Sequence, residues 1–530
     1  MRQRAKTPMA ALARAAGLAM PAAAQEGEEI VIGLAAEATS VDPHFHNLGP
    51  NNQIAAEIFD ALINQGPSQE LMPGLATEWE AIDDTTWEFR LREGVEFHDG
   101  SPFTADDVVC TFERVPNVPN SPSSFVTYTQ GKTVEKVDDY TVHIKTEEPY
   151  PLMANDVSTI AIVSDEQGCD ASTEAFNQGE ATAGTGPWRF VEYTPGERIV
   201  LERYDDYWGE TPAYARAVLR PISSGPARVA ALLSGDVDLI SDVPTTDVAG
   251  LKEDDDIQVS QGVSNRVIYL HMDQYREDSP FVQGPDGGDI ENPLMNPQVR
   301  EAISLAIDRT LIQDRVMEGL SIPAGQLLPE GFFGVSENLS PPEADPARAQ
   351  ELLAEAGYPD GFRLTIHGPN DRYVNDAKIA EAVAQMLTRI GIETKVETMP
   401  RSVYFKRASA GADGEPEFSF ILVGWGAGSG EASSPLRSLI HTYDPDKGFG
   451  ASNRGRYSNE EVDTMIEEAL RTVDDAEREA LLAEATEKAI RDHAIIPIHY
   501  QVNVWAAQDG IAYQPRTDEY TLPSGATPEG

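Results

Sequence analysis

Residues 71–109 read LMPGLATEWEAIDDTTWEFRLREGVEFHDGSPFTADDVV and carry more structural information than any other part of the chain. Within them, Trp87, Phe89 and Leu91 alternate with charged residues. This is the period-two pattern of a strand with one buried face. The stretch therefore predicts a β-strand that packs one side against a core.

Turn and helix signals follow that strand. Gly94 permits a turn, and the alternation resumes at Val95 and Phe97, which predicts a hairpin. Thr104, with Asp107 three residues later, has the pattern of a helix start. Taken alone, this pattern is also typical of an ordinary αβ segment with no bearing on function.

Other motifs follow in a particular order. A GTGPW segment occupies residues 184–188, a YDDYWG segment residues 204–209, and further matching segments lie at 233–238, 296–303, 307–309, 347–357, 390–392, 424–425 and 457–463. In this order, and together with residues 71–109, they make the chain resemble the peptide-type (family 5) solute-binding proteins that feed ABC importers. The resemblance spans nearly the whole mature chain and implies a receptor rather than a catalyst.

The resemblance also implies a fold: an α/β protein with mixed sheets, built as the three-lobed, peptide-binding type of the periplasmic-binding-protein clamshell. Lobe I is expected to combine residues 26–68, 184–272 and 500–530, lobe Ib to be inserted as residues 69–183, and lobe II to span residues 273–499. Strand patterns that alternate with helical ones favour the α/β class independently. They lie at 30–34, 142–145, 200–203, 267–272, 364–367, 395–397, 418–423 and 495–500.

Helix starts and one long loop can be read in the second half of the chain. Asn296 and Asp345 each precede a proline, which pairs an N-cap acceptor with a residue that needs no donor at the first helical position. Ser458 with Glu461 predicts a capping box. Residues 277–296 lack periodicity and are rich in Gly, Pro and Asp, so we expect a surface loop there and place the crossover between lobes in it.

Composition bounds the function. At 530 residues the chain is long enough for two or three domains. A formal net charge of -48 argues against nucleic acid and against an anionic membrane surface as partners. No run approaches the roughly 20 apolar residues of a membrane span, so the mature chain is not expected to cross a bilayer.

The N-terminus predicts export. Arg2, Arg4 and Lys6 precede an Ala-rich stretch that ends at Gln25, which fits a signal peptide over residues 1–25. A misassigned start codon is the competing explanation. Export would place a monomer in the periplasm, where Cys110 and Cys169 could form a disulfide or remain two buried thiols.

Motifs of catalysis are absent from the sequence. It contains no G-x-S-x-G, H-E-x-x-H, Walker A or paired C-x-x-C motif. His44 and His46 could in principle ligate a metal, but no cysteine or third histidine lies near them in sequence, so they are interpreted as polar loop residues. We predict no catalytic residues, no metal and no cofactor.

The best candidate for ligand binding is the glycine-rich loop after the 418–423 strand. Trp425 could stack on a ligand or line its pocket; a core position is the alternative. Peptide-binding relatives commonly carry an aspartate three residues after this tryptophan, where it pairs with the peptide's ammonium group. Here that position is Gly428, so either Glu431 takes over this role or the ligand has no amine at that end.

Two more loops are candidates. Arg372 could bind a carboxylate with two hydrogen bonds, although a surface salt bridge is an alternative interpretation. The remaining candidates are polar or aromatic residues that follow the 364–367 strand or the first strand: Asn370, Tyr373, Phe45, His46 and Asn47.

The sequence thus predicts a receptor that closes around a small polar solute and delivers it to the transmembrane subunits of an ABC permease. A short or modified peptide or an opine-like conjugate would suit this family. A secreted hydrolase acting on peptides or glycans is the alternative from another class, and a receptor that reports to a sensor protein is a third possibility.

Overall fold

The structure, a computed structural model, describes residues 29–411 and 413–529. The expected signal peptide, residues 1–25, lies outside the described residues. None of the helices in the described part combines the length and the apolar character that a bilayer crossing requires.

The strands alternate with helices along the chain. In order they are β1 Glu29–Leu34, β2 Ile63–Gln65, β3 Leu71–Pro73, β4 Ala76–Asp83, β5 Thr86–Leu91, β6 Thr133–Asp138, β7 Thr141–Lys145, β8 Trp188–Thr194, β9 Arg198–Arg203, β10 Arg216–Pro221, β11 Leu239–Ile240, β12 Ile257–Met272, β13 Val282–Gln283, β14 Ser321–Pro323, β15 Phe362–Pro369, β16 Ile392–Met399, β17 Phe420–Gly426, β18 Ile495–Gln508, β19 Ile511–Tyr513 and β20 Ala526–Pro528. The eight strands predicted independently of the hairpin, from 30–34 to 495–500, all overlap members of this set, whereas the one predicted at residues 95–97 does not.

The α-helices complete the α/β class that the sequence predicted. They are α1 Gly49–Ile58, α2 Ala105–Arg114, α3 Val126–Thr129, α4 Met153–Val157, α5 Thr173–Asn177, α6 Gly225–Leu233, α7 Thr245–Lys252, α8 Pro297–Ala306, α9 Arg309–Arg315, α10 Pro346–Glu355, α11 Asp376–Arg389, α12 Arg401–Ala410, α13 Ser433–Pro435, α14 Glu460–Ala469 and α15 Asp475–Arg491.

One large sheet passes through lobes I and II. Its order is β13-β15-β17-β12-β18-β11-β1-β10-β9-β8, with β14 beside β18 and β16 beside β15. Because β1 is parallel to β10 while β12 is antiparallel to β18, the sheet is mixed, as predicted. A separate four-stranded sheet, β4-β5-β7-β6, has its own apolar core around Phe89 and Val142. The lobe boundaries drawn from the sequence stay predictions.

β12 and β18 are the two longest strands in the described part of the chain. These strands pair from Ile257 opposite Gln508 to His271 opposite Ile495, with a register shift between Val263 and Val267. Residues 277–296 contribute β13, which pairs with β15, and the crossover placed in this loop stays a prediction. Polar residues at 264–266 interrupt the apolar run of β12, so the sequence pattern shows only half of the strand.

The stretch 71–109 folds differently from its predicted hairpin. β5 pairs with β4 on one side and β7 on the other, and Glu96 makes only an isolated bridge with Pro102. Val95 and Phe97 are instead buried residues of a loop, whose apolar side chains imitate a strand pattern. The hairpin prediction is therefore wrong, because a buried loop and a half-buried strand share this alternation.

Helix starts are mostly as predicted. The capping box of Thr104 and Asp107 is present, and Asn296 and Asp345 each cap their helix. The prediction for Ser458 is wrong, because Asn459 caps α14 instead. Both side chains can accept the same backbone hydrogen bonds, so sequence alone could not separate these adjacent candidates.

Cys110 and Cys169 form a disulfide, with Cα atoms 5.9 Å apart. The bond ties α2 to the segment that precedes α5, across a sequence separation of 59 residues. Of the two alternatives left open by the sequence, the structure has the cross-linked one. A closed loop of this length restricts the unfolded chain and so stabilises the fold.

Candidate functional site

A cavity of about 320 Å³ is lined by residues of all three predicted lobes, I, Ib and II. Lobe I contributes side chains from residues 43–65 and 516–524, lobe Ib contributes residues between 125 and 161, and lobe II contributes Gly428. A volume of this order suits a small solute. Its polar lining includes Asn47, Asn52, Asn64, Tyr128, Tyr207 and Arg516.

The loop of residues 427–430, which follows β17, connects the predicted lobe II to the predicted lobe Ib. Gln69 Nε2 donates to the Gly428 carbonyl at 3.0 Å, and Asn155 Nδ2 donates to the Ser429 carbonyl at 2.9 Å. Both bonds use backbone acceptors of the loop. The loop therefore forms a wall of the cavity and bridges the lobes at the same time.

Trp425 lies at the end of β17, next to this loop. Its ring is half-buried against the apolar core of lobe II, and its Nε1 donates to Ser434 Oγ at 3.3 Å. The residue does not belong to the lining of the 320 Å³ cavity. Ligand contact by Trp425 stays a prediction.

Glu431 already has a cationic partner. Its side chain is 2% exposed, and Arg478 Nη1 donates to its Oε2 at 2.6 Å. Ser433 Oγ donates to Oε1, and the Arg478 guanidinium lies 4.2 Å from the centre of the Phe333 ring. Binding of a ligand ammonium by Glu431 stays a prediction, and such a ligand would compete with Arg478.

Arg372 precedes α11 and lies near Arg266 and Glu519, outside the lining of the 320 Å³ cavity. Its side chain is exposed, and its guanidinium forms no ion pair within residues 29–411 and 413–529. Even so, its pKa is lowered, first because surrounding protein displaces water and second because Arg266 carries the same charge. An exposed but partly desolvated guanidinium is well suited to a ligand carboxylate.

The two neighbours of Arg372 differ in exposure. Tyr373 is buried, and its hydroxyl donates to the Gly424 carbonyl at 3.1 Å, so it ties α11 to β17. Asn370 is exposed, and its backbone N–H donates to the Met399 carbonyl. Arg372 and Tyr373 thus have different surroundings, and their roles as ligand contacts stay predictions.

Sequence reasoning missed the ion pair beside Arg372. Arg266 donates to Glu519 through Nε at 3.0 Å and through Nη2 at 2.8 Å. Burial opposes ionisation of Glu519, but Arg266 and the hydroxyl of Ser264 lower its pKa. The partners are 253 residues apart in sequence, so no local pattern could have joined them.

Of the three candidates in the loop between β1 and α1 (Phe45, His46 and Asn47), only Asn47 lines the 320 Å³ cavity. Asn47 Nδ2 lies 3.4 Å from the hydroxyl of Tyr128, and its Oδ1 accepts from Asn52 Nδ2 at 3.0 Å. Phe45 and His46 are half-buried, and His46 Nδ1 contacts Thr39 Oγ1 at 2.9 Å. Ligand contacts of these residues stay predictions.

Glu57 and Asp60 are buried carboxylates that line the same cavity, and both were missed by sequence reasoning. Burial raises the pKa of Glu57 to about 7 and the pKa of Asp60 to about 6. Asp60 accepts from Thr185, Tyr207, Trp208 and Asn64, whereas Glu57 accepts from Ser524 Oγ at 2.6 Å. Asp60 lies inside the apolar run IFDALI, and this position is the sequence pattern that could have predicted a buried carboxylate.

A second cavity, of about 280 Å³, lies between α7 of lobe I and α11 of lobe II. Asn375 Nδ2 donates to Thr245 Oγ1 at 3.0 Å across this boundary. Asp242 and Lys378 also line it, together with residues 502–504 of β18. The segments that begin α7 and α11 therefore touch through this hydrogen bond.

The histidine pair of the first loop does not converge on a metal. His44 is buried, with Nδ1 2.8 Å from Arg114 Nη1 and Nε2 2.7 Å from the Ala161 carbonyl. His46 contacts Thr39 instead. Across the described part of the chain, no group of three or more His, Cys, Asp or Glu residues is arranged to hold a metal ion.

Two long paired strands, and a cavity lined by residues from distant parts of the chain, are typical of proteins that bind solutes between lobes. The chain belongs to the bacterial extracellular solute-binding proteins, family 5. The sequence model of this family matches residues 70–446. This confirms the family and the peptide-binding clamshell type that the motifs predicted. Proteins of this family bind peptides or similar ligands and serve ABC importers.

Relatives cover most of the chain. The chain is 28% identical over 475 residues to the glutathione-binding protein GsiB of Pectobacterium atrosepticum, covering 88% of this chain and 87% of the relative. It is 30% identical over 483 residues to heme-binding protein A of Haemophilus influenzae, covering 85% and 83%. The structure of the periplasmic binding protein DppA from Helicobacter pylori, in complex with the peptide STSA, matches with a TM-score of 0.71, 25% identity, and 95% and 98% coverage.

Proposed function

We propose that this protein captures a short or modified peptide, or an opine-like conjugate, between its lobes and delivers it to an ABC permease. The observation that carries the proposal is the 320 Å³ polar cavity, which lobe II closes through the loop of residues 427–430. It receives support from relatives described as binding proteins for glutathione and heme, and from a similar structure that holds a peptide.

Transport follows from closure. A solute in the cavity contacts lobes I and Ib and the Gly428 loop together, so it stabilises the closed form over an open one. A shift from mostly open to mostly closed needs about 5.5 kcal/mol of differential affinity. The permease would recognise the closed form, and the receptor works in the periplasm as a monomer.

The polar groups around the cavity suit a ligand that the protein binds at both of its ends. The cavity offers amide and hydroxyl groups, and Arg372 offers a cation outside it for a carboxylate. Trp425 and Tyr373 lie next to the closing loop and support the boundary of the site. Lobes I, Ib and II, in the residue ranges given above, are the rigid parts between which closure occurs.

A thermal-shift screen of the purified mature protein tests this function. The panel contains peptides, opines, sugars and metal salts. A solute at 100 times its Kd adds about 2.7 kcal/mol of stability. Stabilisation by a small solute, lost in Gly428→Trp, which fills the cavity, is expected. A panel without any stabilising solute, or a solute recovered chemically altered, would contradict the proposal.

A further inference from the structure

Buried carboxylates in this protein are generally neutralised from within the chain. Each of the following pairs has an oxygen-to-nitrogen distance between 2.6 and 2.8 Å and a side chain at most about one-quarter exposed: Asp42–Arg114, Asp156–Lys132, Asp273–Arg276, Glu431–Arg478, Asp518–Arg516 and Glu519–Arg266. The reason is physical: an isolated buried charge is unfavourable unless it is paired or protonated.

Other buried carboxylates without a cation have several donors. Asp107 accepts from the backbone N–H groups of Thr104 and Asp165. Asp376 accepts from the backbone of three residues at the start of α11. Asp60 has the donors of four side chains described above. Each of these carboxylates is therefore compensated by hydrogen bonds.

Glu57 is the exception among the described residues. Its side chain is 1% exposed, and hydrogen bonds reach it from Ser524 alone. It forms no ion pair with a lysine or arginine of residues 29–411 and 413–529. The carboxylate lies against the 320 Å³ cavity, with the acidic Asp60 nearby on the same wall.

The cation nearest to Glu57 within the cavity lining is already engaged. Arg516 donates through Nε and Nη2 to Asp518, with 2.6 Å for the shorter contact. Arg516 Nη2 also donates to the carbonyls of Gln65 and Gly66. Arg516 lowers the pKa of Glu57 at a distance, but it does not reach the carboxylate.

Space for a cationic group exists on the opposite side. Gly428 lines the cavity from lobe II, and a Cβ built on it would meet no atom within 4 Å. A solute can therefore extend past the closing loop toward lobe I. The cavity thus combines open volume, an uncompensated carboxylate and no available internal cation.

We propose that Glu57 is the counter-ion for a cationic group of the captured solute, so that the ligands of this receptor carry an ammonium or guanidinium group. This inference rests on the proposed function, since it concerns the same cavity. Glu57 takes the role that the sequence suggested for Glu431. In the empty protein Glu57 shares its site with a proton, and binding of the cation displaces that proton to solvent.

Matched ligand pairs test the inference by isothermal titration calorimetry at pH 7. Arginine is compared with citrulline, which replaces the guanidinium with a neutral urea group of similar shape. Ala-Ala is compared with N-acetyl-Ala-Ala, which lacks the ammonium. The cationic member of at least one pair is expected to bind tenfold more tightly or better. Its apparent enthalpy should differ between two buffers of different ionisation enthalpy, because a proton is released.

Substitutions of Glu57 distinguish a specific role of its carboxylate from a general effect of removing a negative charge. Glu57→Gln should remove the preference for the cationic member and the proton release, while Glu57→Asp should keep part of both. Glu479→Gln, at an exposed position without an ion pair, is the control and should change neither. The wild-type buffer comparison needs no variant, so a folding defect in Glu57→Gln leaves the test intact.

Two kinds of failure can be told apart. Equal binding of charged and neutral members, or binding of neutral or anionic solutes only, would overturn the role of Glu57 and leave the receptor function standing. Absence of binding by every solute of the wider screen would overturn the proposed function itself. Cation binding without proton release and without change in Glu57→Gln would also overturn this inference.

Discussion

Two glutamates at the cleft are almost equally buried and yet differ in their surroundings. Glu431 of lobe II is 2% exposed and bonded to Arg478, whereas Glu57 of lobe I is 1% exposed and bonded to Ser524 without a cation. The first carboxylate is paired with an arginine of α15. The second is available to a ligand. Burial therefore does not identify a binding group, but the absence of an internal partner does.

The largest effect is expected from removing the partner of Glu431. Arg478→Leu leaves a buried carboxylate without its cation, which costs about 3–5 kcal/mol of unfolding free energy. Urea unfolding measures the change. Arg471→Leu, at an exposed position without an ion pair, should stay within about 0.5 kcal/mol of the parent. An equal effect of both substitutions would contradict the scaffold role of the Glu431 pair.

Buried histidines should make the free energy of unfolding decrease at acidic pH. Burial lowers the pKa of His499 to about 3 and the pKa of His271 to about 3. Because unfolding restores a pKa near 6.5, the unfolded chain binds more protons, and stability falls as pH decreases below about 6.5. At pH 5 this amounts to about 2 kcal/mol for each such histidine. His499→Leu should flatten the decline between pH 7 and 5 in thermal melts; an unchanged slope would argue against it.

Glu57 should have the opposite pH dependence. Its folded pKa is raised to about 7, so its contribution favours the folded state at low pH and is lost as pH rises from 4.5 through 7. Glu57→Gln removes this loss and should stabilise the empty protein by about 1–2 kcal/mol at pH 8, with little effect at pH 5. Urea unfolding at both pH values measures the difference. Destabilisation at pH 8 would instead indicate a structural role like that of Glu431.

The smallest expected effect concerns Arg372. Because its side chain is exposed and unpaired, Arg372→Gln should change the unfolding free energy by less than about 0.5 kcal/mol. Affinity for a solute with a carboxylate should fall by about fivefold, and affinity for its amide analogue should not change. Calorimetric titration with both analogues measures this. A loss of stability without a loss of affinity would favour a structural salt bridge over a ligand contact.

Much of the fold could be predicted because it depends on local patterns. Strand alternation and N-cap acceptors located most elements, and the ordered motifs identified the family. The full length of β12 could not be predicted in this way, since residues 264–266 interrupt its apolar pattern. The strand predicted at Val95 and Phe97 is a loop. Its buried apolar residues alternate in sequence as those of a half-buried strand do.

The site was harder to predict because it depends on distant partners. The position of Glu431 shortly after Trp425 in sequence predicts a ligand contact. The sequence does not show that Arg478, from α15, pairs with its carboxylate. The sequence does not predict Glu57 as a site residue, since an acidic residue in an amphipathic helix is ordinarily exposed. Only the three-dimensional arrangement shows which carboxylate has been left without a cation.

The most direct test of the account is a crystal structure of the protein with the tightest-binding solute of the screen. We predict that the solute occupies the 320 Å³ cavity between the lobes and that its cationic nitrogen lies within about 3.2 Å of a Glu57 carboxylate oxygen. A solute bound outside this cavity, or one that places an uncharged group against Glu57, would contradict the account.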